Sequence, residues 1–102
     1  MKKGIILALL AAGALGVITS AQADSRTRFM AANCGYCHGP DGKSRGAIPS
    51  LAGLDKAYFV QQMKDFRSGV RSGPSSTVMH HHAMGYTDEE YEKLGEWFAK
   101  IK

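Results

Sequence analysis

The sequence predicts an all-α domain of three to four helices joined by long loops. Two segments, 55–68 and 87–101, carry apolar residues at helical spacing. Thr87 is followed by Asp88, Glu89 and Glu90, which together make a helix-start signature. No stretch alternates between apolar and polar residues in the way a half-buried strand requires.

The elements follow in chain order. Lys2 and Lys3 precede an apolar run of 15 residues, 4–18, and Ala21 and Ala23 fit a small-residue cleavage pattern. Residues 1–23 are therefore expected to be a cleaved signal peptide, with 24–102 the mature domain, exported and, in a bacterial host, periplasmic. A retained membrane anchor is the competing reading. The run is short for it, because a spanning helix needs about 20 apolar residues, and no stable membrane insertion is expected after cleavage. Asp24 or Ser25 is the expected cap of a first helix running toward Asn33, with Phe29 and Met30 on its apolar side. Residues 35–50 are rich in Gly and Pro and read as loop.

A second helix is expected from near Asp55 to about Ser68. Its apolar side carries Tyr58, Phe59, Met63 and Phe66, and Gly69 is its stop. Residues 72–76 read as loop, and Met79 is expected in a polar loop with only Val78 as an apolar neighbour. The last helix starts at a capping box formed by Thr87 and Glu90, with three acids at the positive end of its dipole. Tyr91, Leu94, Trp97, Phe98 and Ile101 form its apolar stripe.

Size and charge narrow the function classes. The mature chain of 79 residues buries little apolar surface, and domains of this size usually lean on disulfides, a metal or a cofactor. The two cysteines lie three positions apart, so a disulfide between them would close almost no loop. Without Lys2 and Lys3 the 13 basic residues become 11 against 9 acidic, a net charge of +2. That balance, with no basic stripe interleaved with aromatics, argues against a nucleic-acid partner.

The chemistry concentrates in Cys34-Gly35-Tyr36-Cys37-His38, a C-x-x-C-H motif. Two thiols at this spacing match the two vinyl groups along one haem edge, and the histidine that follows can place a ring nitrogen under the iron. Gly35 leaves room for the backbone to approach the porphyrin. A thioredoxin-like C-x-x-C expects a βαβ context that is absent here. A structural zinc site needs four ligands, and the adjacent His80, His81 and His82 diverge too much to supply the missing ones. Covalent attachment of one haem c through Cys34 and Cys37, with His38 as the proximal iron ligand, is the expectation. Long loops then have a role, since they can cover the faces of a flat cofactor.

The order of landmarks resembles the class I c-type cytochromes over residues 25–101. It consists of an N-terminal helix, C-x-x-C-H, a Pro-containing loop, a middle helix, a Met-bearing segment and an aromatic C-terminal helix. The resemblance implies the small class I cytochrome c fold, wrapped around one covalent haem, and an electron carrier with no catalytic residues. It also implies a distal Met ligand about eight residues before the cap of the last helix. Met79 to Thr87 fits that interval, whereas Met84 lies too close to the helix start. His38 and Met79 are thus the expected metal ligands, with Met84 as alternate.

Bis-His ligation through one of His80, His81 and His82 stays open as a competitor, as does an open sixth position; imidazole lowers the potential where Met raises it. In the family a proline after the motif lies near the proximal histidine and a neighbouring carbonyl takes the other ring N–H; Pro49 occupies that place. Leu51 and Tyr58, with Leu54 and Phe59, are expected to line the haem. Arg67 or Arg71 is the expected partner of a propionate, and Phe29 with Trp97 the contact between first and last helices. Residues 66–69, 76–79 and 85–90, ending in Gly-Tyr-Thr-Asp-Glu-Glu, are similar to the cytochrome subunits that serve flavoprotein sulfide dehydrogenases. The implied partners are redox proteins, a donor and an acceptor, with such a flavoprotein among the candidates.

Overall fold

The computed structural model describes residues 20–102. Among these residues four α-helices follow one another: α1 Ser20–His38, α2 Lys56–Ser68, α3 Thr77–Met84 and α4 Asp88–Ala99. Single 3-10 turns stand at Pro40–Gly42 and Pro74–Ser76, and no strand occurs among the described residues. The expected signal peptide lies outside the described residues, apart from positions 20–23, which belong to α1. No helix of the described residues is long and apolar enough to cross a membrane.

Local chemistry sets the ends of α2 and α4. The Asp55 carboxylate accepts the Tyr58 N–H at 3.0 Å, and Gly69 ends α2 in the left-handed conformation at φ 85°. At α4 the Thr87 hydroxyl accepts the Glu90 N–H at 3.1 Å, while the Glu90 carboxylate accepts the Thr87 N–H at 3.0 Å. Two helix-end donors are thereby satisfied reciprocally.

The core forms where α2 and α4 cross. Phe59, Val60, Met63 and Phe66 of α2 meet Tyr91, Leu94 and Phe98 of α4, all buried. The Phe59 and Phe98 rings lie 5.7 Å apart in a tilted pair. Gly95 permits this closeness, since a Cβ there would sit 3.2 Å from the Phe59 ring and 3.3 Å from the Lys56 carbonyl oxygen.

Three expectations need correcting. First, α1 is already helical at Asp24 and Ser25, so neither caps it, and it continues through His38. Gly35 weakens a helix by about 1 kcal/mol but does not stop it. The stop is Pro40, which disfavours helical geometry at the residue before it, and Gly39 accordingly turns away at φ 90°. The attachment motif is therefore helical. Second, residues 77–84 are helix α3 rather than loop. Only Ala83 of α3 is fully buried, while Val78 and Met84 are exposed, so no apolar stripe announces the element. Third, Phe29 points outward at 76% exposure. Met30 and Ala31 supply the buried face of α1, and Trp97 is half-buried against the same cluster.

Candidate functional site

Because α1 runs to His38, helical geometry arranges the motif. Cys34 and Cys37 stand one turn apart, and His38 follows four positions after Cys34, so all three lie on one side of the helix. Cys34 is half-buried against the core, and burial pushes its thiol up to about 11, which keeps it protonated at neutral pH. Its S–H faces the Met30 carbonyl at 3.9 Å, a weak contact. Cys37 is exposed.

The His38 ring is buried, and its Nδ1 lies 2.6 Å from the carbonyl oxygen of Pro49. A carbonyl can only accept, so Nδ1 carries the proton and donates it. Nε2 is left with its lone pair, the form in which imidazole binds a metal. The chain between the two residues is pinned to make this bond possible. Gly39 N–H returns to the Gly35 carbonyl at 3.1 Å, and Gly42 O accepts the Leu51 and Ala52 N–H groups at 2.8 and 3.2 Å. Gly53 N–H then reaches Phe98 O at 2.8 Å, tying the loop to the end of α4. Pro49 is thus held eleven positions beyond the ring it orients.

The other expected site residues divide. Leu51 and Met79 are half-buried and pack against the apolar cluster that also touches Cys34. Tyr58 stands 52% exposed on the first turn of α2, outside that cluster. Met84 is 60% exposed. His80 donates its Nδ1–H to the Phe66 carbonyl at 2.8 Å, while His81 and His82 are exposed. Among the described residues no three His, Cys, Asp or Glu side chains converge as a metal site. Arg67 is engaged with Asp88 at the start of α4 and lies over the Tyr91 ring. Arg71 donates to Gln62 at 2.7 Å and stacks over Phe66.

The sequence reading missed the His80 bond and the buried bond from the Tyr91 hydroxyl to the Ala83 carbonyl. No local signal announces either, because each joins α3 to a different helix. The donor set itself fits one group. Two thiols a turn apart, an imidazole with its tautomer fixed and thioether sulfur within an apolar cluster suit a porphyrin held by two thioether bonds.

Comparison with known proteins agrees. The family model for cytochrome c matches residues 22–102. The cytochrome subunit of sulfide dehydrogenase from Chlorobaculum tepidum is 40% identical over 78 residues, 76% of this chain and 68% of that protein. Cytochrome c4 from Azotobacter vinelandii is 31% identical across the whole chain, which spans 52% of it. The thiosulfate dehydrogenase electron acceptor of Stutzerimonas stutzeri is 37% identical over 67% of the chain and 32% of its own length. The chain therefore spans about half or less of the latter two relatives. A helical C-x-x-C-H motif with an oriented histidine, inside a match covering nearly all described residues, leads to one conclusion: this chain belongs to the cytochrome c family and is a class I c-type cytochrome.

Proposed function

We propose that the chain is a periplasmic one-electron carrier in which His38 and Met79 are the axial ligands of the haem iron. Membership of the family brings covalent haem c and electron transfer without catalysis of its own. The haem supplies a one-electron ferric–ferrous couple. Cys34 and Cys37 hold it through thioether bonds. His38 offers Nε2, and its Nδ1–H bond to Pro49 O fixes the ring orientation and makes the nitrogen a stronger donor. Met79 offers a thioether, which favours the ferrous state relative to a second imidazole. With both ligands from the chain, no position is left for a substrate, and Leu51 covers apolar surface beside the site.

The observation that carries the ligand assignment is the contrast between the two methionines on α3. Met79 is half-buried with the core, while Met84 is 60% exposed. The competing bis-His and open-site readings are separated from it by spectroscopy. Ferric protein should show the weak red sulfur-to-iron charge-transfer band. Met79→Ala should abolish that band, and Met84→Ala should keep it. A band that survives Met79→Ala would sink the assignment.

The similarity to a sulfide dehydrogenase subunit supports a second, finer reading: the donor is a flavoprotein that oxidises sulfide. The resemblance to thiosulfate dehydrogenase acceptors fits the same chemistry of inorganic sulfur. The same ferric sample distinguishes the two cases, because a dedicated subunit co-purifies with flavin and is reduced on adding sulfide. A sample without flavin, unreduced by sulfide plus such a flavoprotein, would leave a free-standing carrier.

A further inference from the structure

We infer that His80 is a positioning residue for the distal ligand, a bolt that holds α3 on the end of α2 so that Met79 stays at the iron. The inference rests on the assignment of Met79 proposed above.

Helix ends leave their last carbonyls without partners inside the helix. Phe66 lies in the last turn of α2, and its carbonyl oxygen receives the His80 Nδ1–H at 2.8 Å. The bond therefore satisfies an otherwise orphaned acceptor and joins two helices separated by 14 positions in the chain. His80 is half-buried, so the bond is partly shielded from competing water. His81 and His82, next to it, are exposed and make no comparable bond to another helix in this structure. The first histidine thus differs from the other two, being the one of the three tied inward.

The need for a bolt follows from the helix itself. With eight residues, α3 is too short to hold its shape alone. Its N-cap, Ser76, makes no side-chain capping bond, and Val78 and Met84 face outward. Two side-chain bonds tie it to other helices: His80 to α2 at its middle, and Ala83 O, receiving the Tyr91 hydroxyl of α4, near its end. Met79 precedes the first anchor by one residue and the second by one helical turn. Sulfur is a weak axial ligand that added imidazole or cyanide can displace, so the distal side opens whenever α3 lifts. The bolt makes that opening rarer without touching the iron.

The test compares holoprotein variants by three readings: the sulfur-to-iron band, the reduction potential and the rate at which added imidazole captures the ferric iron. His80→Ala should keep the band but raise the capture rate by about fivefold to tenfold, the worth of one net hydrogen bond. His80→Asn should restore near-native capture, because its side-chain N–H stands the same number of bonds from the backbone as Nδ1–H. His81→Ala should change nothing. Asp55→Ala, which removes the N-cap of α2 at the end remote from Phe66, sets the level that general destabilisation produces. If His80→Ala captures imidazole no faster than wild type, or no faster than Asp55→Ala, the positioning role is overturned while Met79 stands. If wild type lacks the sulfur band, the Met79 assignment falls first and this inference with it. A two-imidazole spectrum lost in His80→Ala would make His80 the ligand instead, overturning both.

Discussion

Gly39 stands between His38 and the loop that orients its ring. Its backbone lies at φ 90° and ψ 161°, a region open essentially to glycine alone. A Cβ there would come within 2.5 Å of the Lys43 carbonyl oxygen, a backbone atom that cannot rotate away. Gly39→Ala is therefore expected to cost about 3 kcal/mol or more, from backbone strain of roughly 1–3 kcal/mol plus the clash. Because the shift falls next to His38, the Nδ1–H bond to Pro49 should weaken as well. Denaturant unfolding and the reduction potential measure the two effects; an Ala variant with native stability would show that the turn relaxes freely. The same scale explains Pro49. Its ring stops helix and strand alike, but it is the carbonyl, available in any residue, that the histidine uses. The Pro49 ring fixes φ at that position and so narrows the conformations of the segment that presents the carbonyl.

At the scale of elements, α4 is the best-specified piece of the chain. Its capping box joins Thr87 and Glu90, and Glu90 also accepts from Arg26 of α1 at 3.1 Å. One carboxylate thus starts α4 and ties α1 to it. The Thr87 N–H bond, with Arg26 adding to it, holds the Glu90 carboxyl below its ordinary value of 4.5. Such a group binds its proton more weakly in the folded state. Its contribution to stability is complete above pH 4.5 and is lost as pH falls toward the lowered folded value. Melting temperature should therefore fall on acidification in that range, and Glu90→Gln should flatten this part of the profile. Thr87→Ala should cost about 1 kcal/mol at neutral pH. An unchanged acid limb in Glu90→Gln would place the acid sensitivity elsewhere. The helix α3 is the opposite case, specified by its neighbours rather than by its own residues.

The whole molecule is small for what it has to bury. Its described core holds ten buried apolar side chains, and Cys34, Leu51 and Met79 beside it are only half-covered by protein. A chain of this size needs a staple, and haem bound at Cys34 and Cys37 supplies apolar surface to pack against. Replacing both cysteines by serine, so that no haem is attached, should abolish the cooperative thermal transition and most of the far-UV helical signal. Circular dichroism of the two forms is the check. A haem-free chain that melts as sharply as the holoprotein would show that the peptide core suffices.

Whatever depends on neighbours along the chain is readable from residue order alone. The C-x-x-C-H spacing, the Asp55 and Gly69 limits of α2 and the Thr87–Glu90 start of α4 are all local, and all are legible without coordinates. Helix-stop chemistry at Pro40 was legible too, yet Gly35 and the Gly-rich stretch beyond it suggested an earlier end, so the helical state of the motif was missed. The remainder is set by packing between helices. Residues 77–84 lack an apolar stripe and become helical against α2 and α4, through contacts that periodicity does not encode. The outward turn of Phe29, the inward turn of Met30 and the exposure of Tyr58 depend on which face of each helix finds a partner. The bond from His80 to Phe66 joins residues whose types alone give no reason to meet. Local spacing selects the cofactor's covalent anchor, whereas the segment carrying Met79 takes its shape from the helices it rests on.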